Sequence, residues 1–77
     1  TGRVLVLDES TIVRQFLEHS LRSCGYDCNA ASNVPDAAQA LENAMSADEP
    51  YQLLIVDMLL ATAHAKAVQH LRAAAEL

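Results

Sequence analysis

The chain has few basic residues, few glycines and no long apolar run, and each scarcity excludes a class of function. Five Lys or Arg stand against ten Asp or Glu in 77 residues, giving a net charge of −5. A nucleic-acid or anionic-membrane surface needs a basic patch, so neither is predicted. Gly2 and Gly25 are the only glycines, which excludes a glycine-rich phosphate loop. No transmembrane run of about 18 apolar residues and no signal-peptide pattern is present.

Cysteine is also scarce. Cys24 and Cys28 are the only two, and we predict that they are free thiols in a reducing, cytoplasmic compartment. A zinc half-site with this spacing would need two further ligands, for which His19 is the nearest candidate. Free thiols are therefore preferred to zinc.

Two short apolar runs end in acidic residues. Val4 to Leu7 is followed by Asp8 and Glu9, and Leu53 to Val56 is followed by Asp57. Runs of this kind, rich in Val, Ile and Leu, are typical of strands buried on both faces of a parallel sheet. The acids therefore stand at the carboxyl ends of two predicted strands, where open parallel sheets bind their ligands.

Helical patterns separate these strands and complete a β-α-β-α-β-α order. The helices are recognised by their caps, by Gly25 as a helix stop and by apolar residues at helical spacing. The predicted strands are Arg3–Leu7, Tyr26–Ala31 and Gln52–Val56, and a polar loop is predicted at Ser46–Pro50. The first helix is predicted at about Thr11–Cys24, capped by Ser10 or Thr11, and the second is capped by Ser32 or Asn33, with Pro35 in its first turn and an inner stripe of Ala37, Ala38, Leu41, Ala44 and Met45. One last helix, entered through Met58–Ala61, has Val68, Leu71 and Ala74 or Ala75 facing inward. Phe16 is predicted to lie in the core.

This alternation predicts an α/β fold with a parallel three-stranded sheet and helices on both faces. Right-handed crossovers with strand order 2-1-3 would leave a crevice between the first and third strands, at their carboxyl ends. Asp8, Glu9 and Asp57 would line it. Three carboxylates this close repel one another unless a cation joins them, and oxygen ligands suit Mg²⁺.

The run VLVLDES is followed by one helix, one strand and one helix, and then by the run LLIVDMLL. This combination resembles the receiver domain of two-component response regulators. The resemblance covers the whole chain, residues 1–77, but only the first three of that family's five βα units. It implies a partial doubly wound receiver fold, as one incomplete domain.

The resemblance also implies a function, which is that of a non-enzymatic phosphoacceptor in two-component signalling. Asp57 would accept a phosphoryl group from a sensor histidine kinase or a phosphotransfer protein. Asp8 and Glu9 would hold Mg²⁺, with Asp57 and the main-chain carbonyl of Leu59 as further ligands. The metal would neutralise the incoming phosphoryl oxygens.

The chain departs from the family at several places. Where the family has Met-Pro and then Asp-Gly after the phosphoacceptor, this chain has Leu60-Ala61 and His64-Ala65. Pro and Gly would have stiffened and turned that loop. The family's fourth strand with its switch hydroxyl and fifth strand with its lysine are expected to be absent. Lys66 is predicted on the last helix and is not assumed to replace that lysine.

Other chemistries fit less well. His64 and His70 are six residues apart, which does not place them on one helix face as a metal-binding pair. A phosphatase of the Asp-x-Asp type would need an acid at Ser10. Asp57 taken alone could be only a turn former or a helix cap.

The runner-up function is a receiver-like interaction or dimerisation module that does not depend on phosphorylation. A third strand at the sheet edge and a first helix without a companion would expose apolar surface, which tends to be covered by another chain. A homodimer is the simplest such assembly.

Overall fold

The computed structural model describes residues 2–75, which form three strands and four helices. They follow one another as β1 (Arg3–Leu7), α1 (Thr11–Ser23), β2 (Asp27–Ala31), α2 (Val34–Ser46), β3 (Leu53–Val56), α3 (Met58–Ala63) and α4 (Ala65–Ala74). Among these residues, none of the helices has both the length and the hydropathy needed to cross a membrane.

The sheet is parallel and has the order β2-β1-β3, which confirms the predicted topology. β1 is the central strand. Its last residue, Leu7, lies opposite Ala31 of β2 and Val56 of β3, so all three strands end at the same level. The direction of winding reverses between β1 and β3, which creates the predicted topological switch point at their carboxyl ends.

Side chains of β1 alternate between two apolar clusters, one on each face of the sheet. Val4 and Val6 pack on the α1 side, whereas Leu5 and Leu7 pack on the side of α2 and α4. All four are fully or almost fully buried. The prediction that this run is buried on both faces is therefore confirmed for β1.

The ends of α1 and α2 follow the predicted capping chemistry. The Ser10 hydroxyl accepts a hydrogen bond from the Val13 amide at 3.3 Å, and the Asn33 side chain accepts one from the Asp36 amide at 2.8 Å. Gly25 has φ of 92°, a left-handed conformation that side chains disfavour, and it ends α1. Ser10 and Gly25 thus mark the start and end of α1, and Asn33 marks the start of α2.

The outer surface of α1 corrects one prediction. Phe16 is 66% exposed and Ile12 79% exposed, so Phe16 is not a core residue. The helix packs over β1 and β2, and only its Leu17 and Leu21 line contacts the cluster that contains Val6. The apolar stripe of α1 is wider than the part of the sheet beneath it, and the excess faces outward.

The inner stripe of α2 is narrower than predicted. Ala37, Leu41 and Ala44 are buried, as expected. Ala38 and Met45 are exposed, which corrects their assignment to the core. Both lie on the flank of α2 that lines an open groove towards α4.

The last helical segment is two helices rather than one. α3 begins at Met58, directly after Asp57, where the sequence predicted a lead-in. The Met-Leu-Leu-Ala run favours a helix and contains no Pro or Gly to delay it. His64, with φ of −128° and ψ of 43°, then breaks the helix before α4 begins at Ala65. Inside α4, Leu71 is buried and Val68 half-buried, as predicted.

β3 is less buried than its sequence suggests. Leu53 is 50% exposed, and the rest of the strand is half-buried. Within residues 2–75 β3 lies at the edge of the sheet, with β1 as its neighbour. The prediction of a strand buried on both faces is therefore wrong for β3, whereas its edge position is confirmed.

Candidate functional site

Two predicted site residues, Asp8 and Asp57, directly follow neighbouring strands at the switch point. The Asp57 amide donates to the Leu7 carbonyl at 2.8 Å, and the Asp8 amide donates to the Ala31 carbonyl at 3.1 Å. Because Leu7 and Val56 are register partners, the next residue on each strand is an acid. The structure thus places both carboxylates, each half-buried, at one edge of the sheet.

The Asp8 carboxylate is held by the turn between β1 and α1. Its Oδ1 accepts a hydrogen bond from the Ser10 amide at 2.8 Å, as in an Asx turn. The Asp8 carbonyl accepts a bond from Arg14 Nη1 at 2.7 Å. Both the main chain and the side chain of Asp8 are therefore fixed, and one carboxylate oxygen still has capacity for another partner.

Asp57 occupies the N-cap position of α3, but its side chain makes no capping hydrogen bond. Its carbonyl accepts from the Ala61 amide at 2.9 Å, which begins the helix. The interpretation of Asp57 as a mere helix cap therefore loses support, since a cap acts through its side-chain oxygen. The carboxylate is available for other chemistry.

Glu9 is exposed. It lines an open groove of about 690 Å³ at the carboxyl edge of the sheet. The other lining residues are Ser32, Asn33, Val34, Pro35, Leu60 and His64. Glu9 thus borders the site and also faces the loop that precedes α2.

Leu59 lies in the first turn of α3 and is 76% exposed. Helical carbonyls point along the axis towards the C-terminal end of the helix. Ligation of Mg²⁺ by the Leu59 carbonyl stays a prediction, and α3, which begins at Met58, places that carbonyl inside a helix.

Magnesium ligation by Asp8, Glu9 and Asp57 remains a prediction. Within residues 2–75 no group of three or more His, Cys, Asp or Glu is arranged to hold a metal ion. Mg²⁺ is commonly bound by one or two carboxylates and keeps several of its waters. The oxygen donors on Asp8 and Asp57, at adjacent strand ends, fit that mode better than a three-carboxylate cage.

The remaining candidate residues lie away from the two aspartates or at the margin of the site. His64 lines the groove with Glu9, while Lys66 and His70 are exposed on α4. Cys24 is an exposed free thiol, and Cys28 is a buried one on β2. Burial, and then the charge of Glu18, raises the pKa of the Cys28 thiol, so Cys28 is a neutral core residue at physiological pH.

Arg14 is the residue that the sequence analysis missed. It is half-buried on α1, and its guanidinium donates to Asp8 and, at 3.0 Å, to the Thr11 hydroxyl. A usable signal was present. An Arg six residues after a strand-ending acid, at the end of the first turn of the following helix, is long enough to reach back to that acid's main chain.

Part of the chain is similar to a known regulatory protein. Over 58 residues the chain is 33% identical to the transcriptional regulatory protein AruR of Pseudomonas aeruginosa. The matched segment covers 75% of this chain but 24% of that protein, so the chain spans about a quarter of its relative. No family model and no solved structure matches the chain. The similarity to a transcriptional regulatory protein agrees in general terms with a response-regulator-like domain.

Proposed function

We propose that this chain is a receiver-like phosphoacceptor domain in two-component signalling, with Asp57 as the phosphorylated residue. The observation that carries the proposal is the position of Asp57 beside Asp8 at the switch point of a β2-β1-β3 sheet. The similarity to a transcriptional regulatory protein supports it. The partner would be a sensor histidine kinase or a phosphotransfer protein, and the domain would act in the cytoplasm.

The proposed step is a phosphoryl transfer to a carboxylate. An Asp57 carboxylate oxygen attacks the phosphorus of a phosphohistidine. The new bond joins oxygen to phosphorus, the bond from phosphorus to the imidazole nitrogen breaks, and the nitrogen keeps its electron pair. Asp57 is suited to this role because its side chain makes no capping bond that the attack would have to break.

Mg²⁺ would be held at this edge by Asp8 and Asp57, with Glu9 acting through water. When bound, the ion supplies positive charge that offsets the charge of the phosphoryl oxygens. The protein contributes the orientation of Asp8, through the Ser10 amide, and a half-buried position for Asp57.

The test is a titration with Mg²⁺ and beryllofluoride, followed by NMR of the backbone amides. We expect the largest shifts at Asp8, Glu9 and Asp57, and none of them in Asp57→Asn. Asp48→Asn is the matched control, because Asp48 is an exposed acid outside the sheet. Equal responses of wild type and Asp57→Asn would exclude Asp57 as the acceptor.

Phosphorylation itself can be measured with acetyl phosphate and mass spectrometry. We expect low occupancy of Asp57 in this 77-residue chain, even with Mg²⁺. Its one lysine, Lys66, is exposed on α4 and is not assumed to stabilise the transferring group. Stoichiometric modification would show that such a cation is dispensable.

Exposed apolar residues on the α1 side of the sheet favour a second function. This function is that of an interaction or homodimerisation module that does not depend on phosphorylation. Ile12 and Phe16, one helical turn apart, are 79% and 66% exposed, and Leu53 on β3 is 50% exposed. Sedimentation of wild type and Phe16→Ser at micromolar concentration tests it. A dimer that Phe16→Ser dissociates supports the module, whereas a monomeric wild type contradicts homodimerisation.

A further inference from the structure

Arg14 joins the first helix to the acidic edge of the sheet. Nη1 donates to the Asp8 carbonyl at 2.7 Å, and Nη2 donates to the Thr11 hydroxyl at 3.0 Å. The two bonds span the turn that leads from β1 into α1. Arg14 is half-buried, whereas Val13 and Gln15 on either side of it are exposed.

The same turn determines where the Asp8 carboxylate points. Asp8 Oδ1 accepts the Ser10 amide at 2.8 Å, and this bond requires the Asp8 main chain to keep its orientation. The Arg14 bond to the Asp8 carbonyl holds that main chain. The Asp8 carboxylate is therefore positioned indirectly by a side chain six residues further along the sequence.

The charge of Arg14 is not used in an ion pair with an acid. Among the described residues 2–75, the salt bridges of the other arginines on β1 and α1 are Arg3 with Asp27 and Glu49, and Arg22 with Glu18; Arg14 forms none. It instead contacts a neutral carbonyl and a hydroxyl. A cation held so close to a metal-binding carboxylate would on charge alone oppose Mg²⁺.

We propose that Arg14 is a positioning residue, which fixes the β1–α1 turn so that the Asp8 carboxylate is presented to Mg²⁺ and to the phosphoryl chemistry at Asp57. This proposal rests on the proposed function for the metal, whereas the role of Arg14 in holding the turn does not depend on it. Arg14 needs no contact with the reacting atoms for this role. Its effect passes through the Asp8 main chain.

Positioning and charge predict opposite results when Arg14 is replaced. If Arg14 positions Asp8, Arg14→Ala weakens Mg²⁺ binding, by about tenfold for a residue that supports a metal ligand. If Arg14 acts only as a charge, the same change strengthens Mg²⁺ binding by removing a repulsion. Arg14→Lys keeps the charge and one donor, so positioning predicts an intermediate affinity, whereas charge alone predicts the wild-type value.

Arg22→Ala is the matched control. Arg22 also lies on α1 and also donates to a main-chain carbonyl at 2.7 Å, but the acceptor is Cys28 on β2 rather than Asp8. The experiment measures Mg²⁺ affinity by amide chemical shifts, and hydrogen exchange of the Ser10 amide without metal. We expect about tenfold weaker Mg²⁺ binding and clearly faster Ser10 exchange in Arg14→Ala, with Arg22→Ala within about twofold of wild type.

The two readouts separate failure of the inference from failure of the proposed function. Unchanged Ser10 exchange in Arg14→Ala, or tighter Mg²⁺ binding, overturns the positioning role. If wild type itself does not respond to Mg²⁺, the proposed function is contradicted. The Ser10 exchange rate then decides alone whether Arg14 holds the turn.

Discussion

Replacing Asp57 by Asn should stabilise the metal-free protein while removing its response to Mg²⁺. Asp8 and Asp57 follow neighbouring strands, and strands in a sheet are about 4.8 Å apart. With carboxylates about 6 Å apart in an aqueous dielectric of about 80, their repulsion is about 0.7 kcal/mol. Asp57→Asn removes this repulsion and breaks no side-chain capping bond, because Asp57 makes none.

A gain of about 0.7 kcal/mol should raise Tm by roughly 3–6 °C in a domain of this size. Mg²⁺ at ten times its Kd should stabilise wild type by about 1.4 kcal/mol and Asp57→Asn much less. Thermal unfolding by circular dichroism, with and without Mg²⁺, measures both effects. The control is Asp48→Asn, which removes the same charge at an exposed turn residue whose φ of 58° Asn also tolerates.

Three results would refute this reasoning. A Tm gain in Asp48→Asn equal to that in Asp57→Asn would mean that net charge, not the Asp8–Asp57 pair, sets the effect. A loss of stability in metal-free Asp57→Asn would mean that the Asp57 carboxylate makes a favourable contact in the folded protein. Equal stabilisation of wild type and Asp57→Asn by Mg²⁺ would remove Asp57 from the metal site.

Four further predictions concern stability and thiol accessibility. Asn33→Ala should cost about 1 kcal/mol in urea denaturation, because the bond to the Asp36 amide is lost; an unchanged midpoint would show that the cap is not used. Leu5→Ala should cost about 3–5 kcal/mol and Leu53→Ala much less, since Leu5 is fully buried and Leu53 is 50% exposed; the reverse order would contradict the β1-centred core. A thiol reagent should label Cys24 rapidly and Cys28 only on unfolding. Burial raises the pKa of the Cys28 thiol above its ordinary 9.0, so the unfolded chain loses the thiol proton at a lower pH than the folded protein does. The stabilising contribution of the Cys28 thiol is therefore present below about pH 9 and declines above it. Between about pH 8 and 10, Cys28→Ala should lose less stability than wild type does.

The topology could be predicted because its signals are local. Alternation of apolar strands with capped helices determined the element order. The strand order 2-1-3, with which right-handed crossovers leave a crevice between the two acid-terminated strands, is the order observed. The exposure of individual side chains could not be predicted from the sequence in the same way. Phe16 and Met45 have the helical spacing of core residues, but whether that face is covered depends on what packs over it. Hydrophobic spacing identifies a stripe, whereas its burial is a tertiary property.

The acidic edge was predictable to the level of the main chain. Strand ends and register bring Asp8 and Asp57 together, since a carboxylate after each parallel strand falls at one edge. The helical position of Leu59 was not predicted, because a lead-in was expected where helix-forming residues start α3 at once. Arg14 was missed because its role depends on a side chain reaching back across a turn, which strand and helix periodicity does not encode.

The position of Asp57 beside Asp8 is a consequence of core packing rather than of the acids themselves. Leu54 and Val56 pack against the cluster that contains Leu5 and Leu7, whereas Ile55 packs on the other face. A slip of β3 by one residue would exchange these faces and leave apolar side chains in the wrong cluster. The register that packs β3 against both clusters is thus the register that brings Asp57 to Asp8. Replacing either acid should leave the strands in place, so variants at this edge report on the chemistry of the site and not on a changed fold.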